Sequence, residues 1–212
     1  MSNNRMIPDV VTYNTLIGGF CRARRPHNAL ELLHDMQACG QRPNLQTYAI
    51  LLDGHCKNLH FYEAMALFLD MEDQKFDFNL VIYVLIDGMC TARKLMTAKE
   101  PFNSLPTKGL QPDVRTYTIM IKGLCKEGLL NEVSELLEKM DKNGYSADDV
   151  TYNTTIQGSL QHNETSWAIN YLLMMVNKGF SANATTATIL IDLLSTNEVD
   201  KTLQYFFFQK FV

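Results

Sequence analysis

The chain lacks most of the features that would announce a membrane, redox or catalytic role. Its uninterrupted apolar runs, such as Leu172 to Val176, fall far short of the roughly 20 residues a bilayer-spanning helix needs. Residues Met1 to Asp9 carry no apolar run and no cleavage-like site, so neither a signal peptide nor an Arg-rich transit peptide is expected there. Positive charge is not in excess. Lys and Arg total 19 against 23 Asp and Glu, giving −4 and a pI near 5.7. That argues against a strongly basic, nonspecific binder of phosphate backbones, and leaves base reading open. The five cysteines include no Cys-x-x-Cys pair, so neither a zinc ribbon nor a redox dithiol is expected. The five histidines (His27, His34, His55, His60 and His162) fall at mismatched places and include no helical pair one turn apart. No metal site, no nucleophile with its base and no phosphate-cradling glycine loop is visible. The expectation is therefore no metal, no cofactor, no small-molecule substrate and no catalysis. What remains is a globular composition, 46% hydrophobic and 20% charged.

Internal repetition fills the gap. Tyr recurs at Tyr13, Tyr48, Tyr83, Tyr117 and Tyr152, with steps of 35, 35, 34 and 35 residues. Gly recurs at Gly19, Gly54, Gly88, Gly123 and Gly158. A small apolar column runs Ala29, Ala64, Ala98, Val133, Ala168, and a larger one Met36, Met71, Leu105, Met140, Met175. The units fall at 10–44, 45–79, 80–113, 114–148 and 149–183, and a partial sixth covers 184–212. Residues 1–9 read as an N-terminal arm or the tail of a preceding unit, with Pro8-Asp9 in the closing place. The third unit is one residue short. Aligning Tyr83 with Tyr13 puts the missing residue near the start of its first helix.

Each unit reads as two helices. Tyr13, Leu16, Ile17 and Phe20 make one apolar stripe and Ala29, Leu32, Leu33 and Met36 a second. Pro26 suits the first turn of the second helix. Gly40 is placed to end it in a left-handed conformation, and Pro43 delays the next start. A Gly inside a helix is worth about 1 kcal/mol less than Ala, so five in register point to close helix approach where no Cβ fits. Such units bury their apolar faces only by stacking, which predicts a solenoid. Cys21, Cys56, Cys90 and Cys125 share the period. Equivalent places in stacked units lie about 10 Å apart, too far for disulfides. They are expected to be reduced, metal-free and buried as small apolar residues.

Several segments now carry a family resemblance. Val10-Val11-Thr12-Tyr13-Asn14-Thr15-Leu16-Ile17, Val114-Arg115-Thr116-Tyr117-Thr118 and Asp149-Val150-Thr151-Tyr152-Asn153-Thr154 resemble the opening of a pentatricopeptide repeat. Gly109-Leu110-Gln111-Pro112-Asp113 resembles its close, and Gly123-Leu124-Cys125-Lys126-Glu127-Gly128 the helix joint of P-class members similar to plant fertility restorers. The tetratricopeptide alternative wants Trp in the first helix, whereas Trp167 lies in a second. The resemblance implies an all-α, right-handed α-solenoid of two-helix units, five full and a sixth partial. It also implies single-stranded RNA as partner, read one base per unit. By resemblance the fifth and last residues of each unit read the base, and the second packs on its face. The reading pairs are then Asn14 with Asn44, Ala49 with Asn79, Val84 with Asp113, Thr118 with Asp148, and Asn153 with Asn183. The clamping column is Val11, Gln46, Val81, Arg115, Val150 and Thr185. Asn with Asn implies a pyrimidine and Thr with Asp a guanine. The Tyr column sits on the apolar stripe, so it is expected in the core.

The resemblance also implies a mitochondrial or plastid setting and a role in organellar RNA processing, stability or translation. Two rival readings stay open at this point. One is a protein–protein adaptor using the same groove; the other is a degraded fragment of a longer repeat protein. Tyr205, Phe206, Phe207, Phe208 and Phe211 crowd the last, incomplete unit, so self-association or a protein partner is expected at that edge. With three interpretable polar pairs and no basic surface, micromolar or weaker RNA affinity is expected.

Overall fold

The computed structural model describes residues 8–71 and 78–195, and all its regular structure is helical. Among those residues, eleven α-helices alternate in pairs. The first unit holds α1 (Val10–Arg22) and α2 (Pro26–Ala38). The second holds α3 (Leu45–Lys57) and α4 (Phe61–Asp70), and the third α5 (Phe78–Thr91) and α6 (Leu95–Ser104). A 3-10 turn, Pro106–Lys108, follows. Then come α7 (Val114–Lys126) and α8 (Leu130–Lys142), α9 (Asp149–Gln161) and α10 (Thr165–Asn177), and α11 (Ala184–Ser195). No helix among the described residues is long and apolar enough to cross a membrane.

The local chemistry that starts and stops these helices repeats with the units. Ahead of α1, α3, α7, α9 and α11 the preceding residue is an Asp or Asn, with a Thr three places on. Asp9 Oδ1 accepts from Thr12 N at 2.8 Å and from Thr12 Oγ1 at 2.7 Å. Asp113 with Thr116, Asp148 with Thr151, and Asn44 with Thr47 repeat the arrangement. Each satisfies a helix N–H that has no intrahelical partner. The second helices end at Gly40, Gly109, Gly144 and Gly179, all at positive φ. The following N–H reaches back to Met36 O, Leu105 O, Met140 O or Met175 O, closing the last turn as a Schellman motif. The joint between the two helices also needs a left-handed residue. Gly supplies it only at Gly128; Arg24, Leu59, Arg93 and Asn163 adopt φ of 60°, 67°, 57° and 59°.

The chain divides into two compact bodies, residues 1–123 and 124–212. In the first, α1 packs on α2 and α3, α3 on α4 and α5, and α5 on α6. First helices thus stack on first helices, each backed by its own partner. In the second, α9 packs on α10 and α11, around Tyr152, Ile156, Tyr171, Leu172, Met175 and Leu190. Tyr13, Tyr48, Tyr117 and Tyr152 are buried, as are the whole Ala29 and Met36 columns. The architecture is an all-α repeat solenoid.

The glycine and cysteine columns turn out to be two halves of one contact. A Cβ on Gly54 would overlap Cys21, on Gly88 Cys56, and on Gly158 Cys125; on Gly123 it would come within 2.6 Å of Cys90 Sγ. Each thiol fills the place the next unit's glycine vacates. Gly19, with no earlier unit among the described residues, would meet nothing within 4 Å. Burial pushes the Cys56 and Cys125 thiols up to about 12, far from thiolate chemistry.

The third unit corrects the register. In the second unit Thr47, Tyr48, Leu51, Leu52, Gly54, His55 and Cys56 are buried; in the third, Val81, Ile82, Leu85, Ile86, Gly88, Met89 and Cys90. The offset is 34 throughout, so Ile82, not Tyr83, occupies the Tyr48 place. The shortening falls between Met71 and Phe78, ahead of α5 rather than in its first turns. Tyr83 moves to the fifth place and Val84 to the sixth. Val81 is 0% exposed in the core, and Leu80, 38% exposed, occupies the unit's second place instead. Asn79 lies inside α5, one place beyond the unit's closing position. The aromatic residues of the C-terminal edge, from Tyr205 to Phe211, lie outside the described residues.

Candidate nucleic-acid interface

A candidate site lies between the first and second units. A cavity of about 280 Å³ is lined by Val11, Asn14, Thr15, Gly18, Arg22, Gln46 and Ile50. Val11 is 70% exposed, and Gln46 is exposed as well. The second residues of two successive units therefore flank one opening, with Asn14 from the fifth place between them. Asn14 is 7% exposed, and its Oδ1 is buried with no hydrogen-bond partner. A buried amide oxygen left unpaired costs about 1–3 kcal/mol, which a ligand donor entering the cavity would recover. Arg22 adds a cation to the same lining. Sequence reading missed Gly18 and Arg22 here, which only the helical face brings beside Asn14.

The closing residues are not free to turn. Asn44 spends Oδ1 on Thr47 N and Thr47 Oγ1, each at 3.0 Å, so its amide Nδ2 is the group left over, a donor. Asp148 spends Oδ1 on Thr151, and Asp113 does the same with Thr116. Each leaves Oδ2, an acceptor. The helix cap thus decides what each closing residue can offer. Thr118 is 9% exposed and donates Oγ1 to Val114 O at 2.7 Å.

The fifth unit repeats the Asn/Asn pair with different commitments. Asn153, 3% exposed, donates Nδ2 to Asp149 O at 2.8 Å. Its Oδ1 accepts from Asn183 N at 2.9 Å and Thr186 Oγ1 at 2.7 Å. Gln157, in the place of Gly18, donates to Thr186 Oγ1 at 2.8 Å and Asn183 Oδ1 at 3.3 Å. Val150 and Thr185 are exposed on either side. In the remaining units Ala49 offers no hydrogen-bonding side chain, and Tyr83 lies under the Arg115 guanidinium, 5.4 Å from its ring centroid, a cation–π contact.

These features define a class: a repeat solenoid in which polar fifth residues (Asn14, Thr118, Asn153), helix-capping Asx residues (Asp9, Asn44, Asp113, Asp148) and exposed second residues (Val11, Gln46, Arg115, Val150) recur in register. Family models agree. A model described as PPR repeat family matches residues 8–57, and PPR repeat models match 108–141, 46–76 and 150–180. The chain belongs to the pentatricopeptide-repeat family. No curated protein sequence matches it. Among solved structures, the pentatricopeptide repeat protein PPR10 from maize aligns at 24% identity and TM-score 0.68, covering 87% of this chain. The same protein in complex with an 18-nt psaJ RNA element aligns equally well. The PPR domain of Arabidopsis thaliana protein-only RNase P 1, in complex with tRNA, aligns at 13% identity and TM-score 0.62. This chain spans 27% of the maize protein and 98% of the RNase P domain.

Proposed function

We propose that the chain binds single-stranded RNA through successive unit junctions, one base per unit, and acts by occupancy rather than catalysis. The observation that carries this reading is the first-unit cavity, where Val11 and Gln46 flank a buried, unpartnered Asn14 oxygen. An unstacked base offers what that cavity wants: a flat face for the flanking side chains and edge donors and acceptors for the amides. Membership of the family supports it, as do the RNA complexes formed by structurally similar members.

Base preference follows from the atoms the caps leave over. Asp148 presents an acceptor, suited to guanine N1–H and N2–H₂. Asn44 presents a donor, suited to a pyrimidine acceptor, with cytosine N3 ahead of uracil N3–H. The chain then reads pyrimidine, any base, weakly specified, guanine, pyrimidine, from 5′ to 3′. The third place is weak because Tyr83 and Arg115 stack on each other there. A mitochondrial or plastid setting is part of the proposal, carried by family resemblance.

Selection from a random single-stranded RNA pool tests the reading. The expected outcome is an enriched core with guanine at the fourth place and a pyrimidine at the first, at micromolar or weaker affinity. With Thr118→Asn, the fourth place should move to uracil, whose N3–H still meets Asp148. Recovery of no RNA, or of cores that ignore Thr118→Asn, would contradict it and favour the adaptor reading of the same groove.

A further inference from the structure

Three side chains that no part of the RNA interface uses come together where the first two units meet. His27 is the second residue of α2, His60 directly precedes α4, and Glu63 lies in the first turn of α4. One nitrogen of each imidazole and one Glu63 oxygen all lie within 4.8 Å of one another. The His27 and His60 rings meet edge to face at 5.0 Å. His60 Nδ1 and Glu63 Oε1 are 3.2 Å apart. Two donors bound at about 2.0–2.2 Å to one tetrahedral ion are themselves about 3.3 Å apart, so this pair already has the separation of neighbouring ligands.

A second observation points the same way. His55 stands beside the group, its ring 6.2 Å from that of His60. Its Nδ1 lies 2.9 Å from Leu51 O. A carbonyl only accepts, so Nδ1 carries the proton and Nε2 presents a lone pair, buried and without a partner. A ring nitrogen tied to a backbone carbonyl while the other is left open is the arrangement that prepares histidine for a metal.

The repeat does not demand these residues. In sequence register the three places at later junctions hold Tyr62, Lys94 and Thr97, then Met96, Leu129 and Glu132, then Asn131, Glu164 and Trp167. Among the junctions of the five full units the ligand set occurs only where the first unit meets the second, which is why a search along single helices finds none. We propose that His27, His60 and Glu63 bind one divalent ion of the zinc class, linking α2 to α4 and fastening two successive units. Water completes the coordination. None of the three lines the Asn14 cavity, so the ion fastens the scaffold and leaves the base site open.

The test is calorimetric titration of the full, untagged chain with ZnCl₂, in a Cys39→Ser background that removes the exposed thiol. One ion per chain is expected. His27→Ala and Glu63→Gln should each weaken binding by roughly tenfold or more, while His34→Ala, an exposed histidine elsewhere on α2, should leave it unchanged. At a hundredfold excess over Kd the unfolding midpoint should rise by about 5–10 °C, and His27→Ala should abolish the rise. His27 is exposed, so its loss does not threaten the fold. Absence of saturable binding at one ion per chain would overturn the proposal. So would binding that survives both His27→Ala and His60→Ala.

Discussion

The first and fifth units carry the same proposed reading pair, Asn14 with Asn44 and Asn153 with Asn183, yet the two pairs are not in the same state. Asn14 has a buried oxygen without a partner and lines a cavity. Asn153 has both ends of its amide engaged by Asp149, Asn183 and Thr186. One position sets them apart. Gly18 leaves space beside Asn14, whereas Gln157 holds Thr186 and Asn183 against Asn153. On the proposed reading, two residues per unit name a base preference, and the neighbours of those residues decide whether it can be exercised.

The largest contrast between these units should appear in stability. Gly158→Ala forces a Cβ into Cys125, and overpacking of that kind costs about 1–3 kcal/mol. Gly19→Ala, with nothing within 4 Å, should instead stabilise by up to about 1 kcal/mol through helix propensity. Denaturant midpoints of the two variants check this, and equal losses would break the pairing of glycine with the preceding thiol.

The Asn residues themselves should separate next. Asn14→Ala should lower affinity for a matched RNA by about 1–3 kcal/mol, the range for one lost base contact, with little change in stability. Asn153→Ala strands Asn183 N and Thr186 Oγ1, so it should cost about 1–3 kcal/mol of stability and less affinity. Paired melts and RNA titrations distinguish the two, and a reversed pattern would remove the distinction.

Exchanging the ninth residues sharpens it further. Gly18→Gln fills the first cavity and should reduce affinity about tenfold, the worth of about one hydrogen bond. Gln157→Gly should improve discrimination at the fifth place by a similar factor or less. Filter binding with single-base variants measures both.

The smallest effect lies at the helix joints. Arg24 sits at φ 60° in the first unit and Asn163 at φ 59° in the fifth. A left-handed residue with a Cβ is strained by roughly 1–2 kcal/mol, and Asn tolerates it better. After the entropy that glycine adds to the unfolded chain, Arg24→Gly should gain about 0.5 kcal/mol and Asn163→Gly almost nothing. Calorimetric midpoints resolve the difference.

Much of this molecule was legible before its coordinates. The columns headed by Ala29 and Met36 are core columns, and Gly54, Gly88, Gly123 and Gly158 mark close approaches, whereas Gly19 meets nothing. What the sequence left out was the partner of each glycine, because Cys21 and Gly54 belong to different units and each column was read along itself. The third unit was misread for a physical reason. Ile82 and Tyr83 both suit an apolar stripe, and matching Tyr to Tyr chose the residue that burial rejects. That error carried Val81 and Val84 into the candidate site, where the register puts Leu80 and Tyr83. The difference between Asn14 and Asn153 was hidden more deeply, since it depends on hydrogen bonds spanning about 30 residues, such as Asn183 N to Asn153 Oδ1.

The most direct test is a base scan at two places on one RNA. The four bases are placed in turn opposite the first unit and then opposite the fifth, and Kd is measured for each RNA with the unmodified chain. The open Asn14 site should spread affinities by about tenfold or more, with pyrimidines tightest. The committed Asn153 site should spread them by less than about threefold. Equal spreads, or a wider spread opposite the fifth unit, would contradict the account.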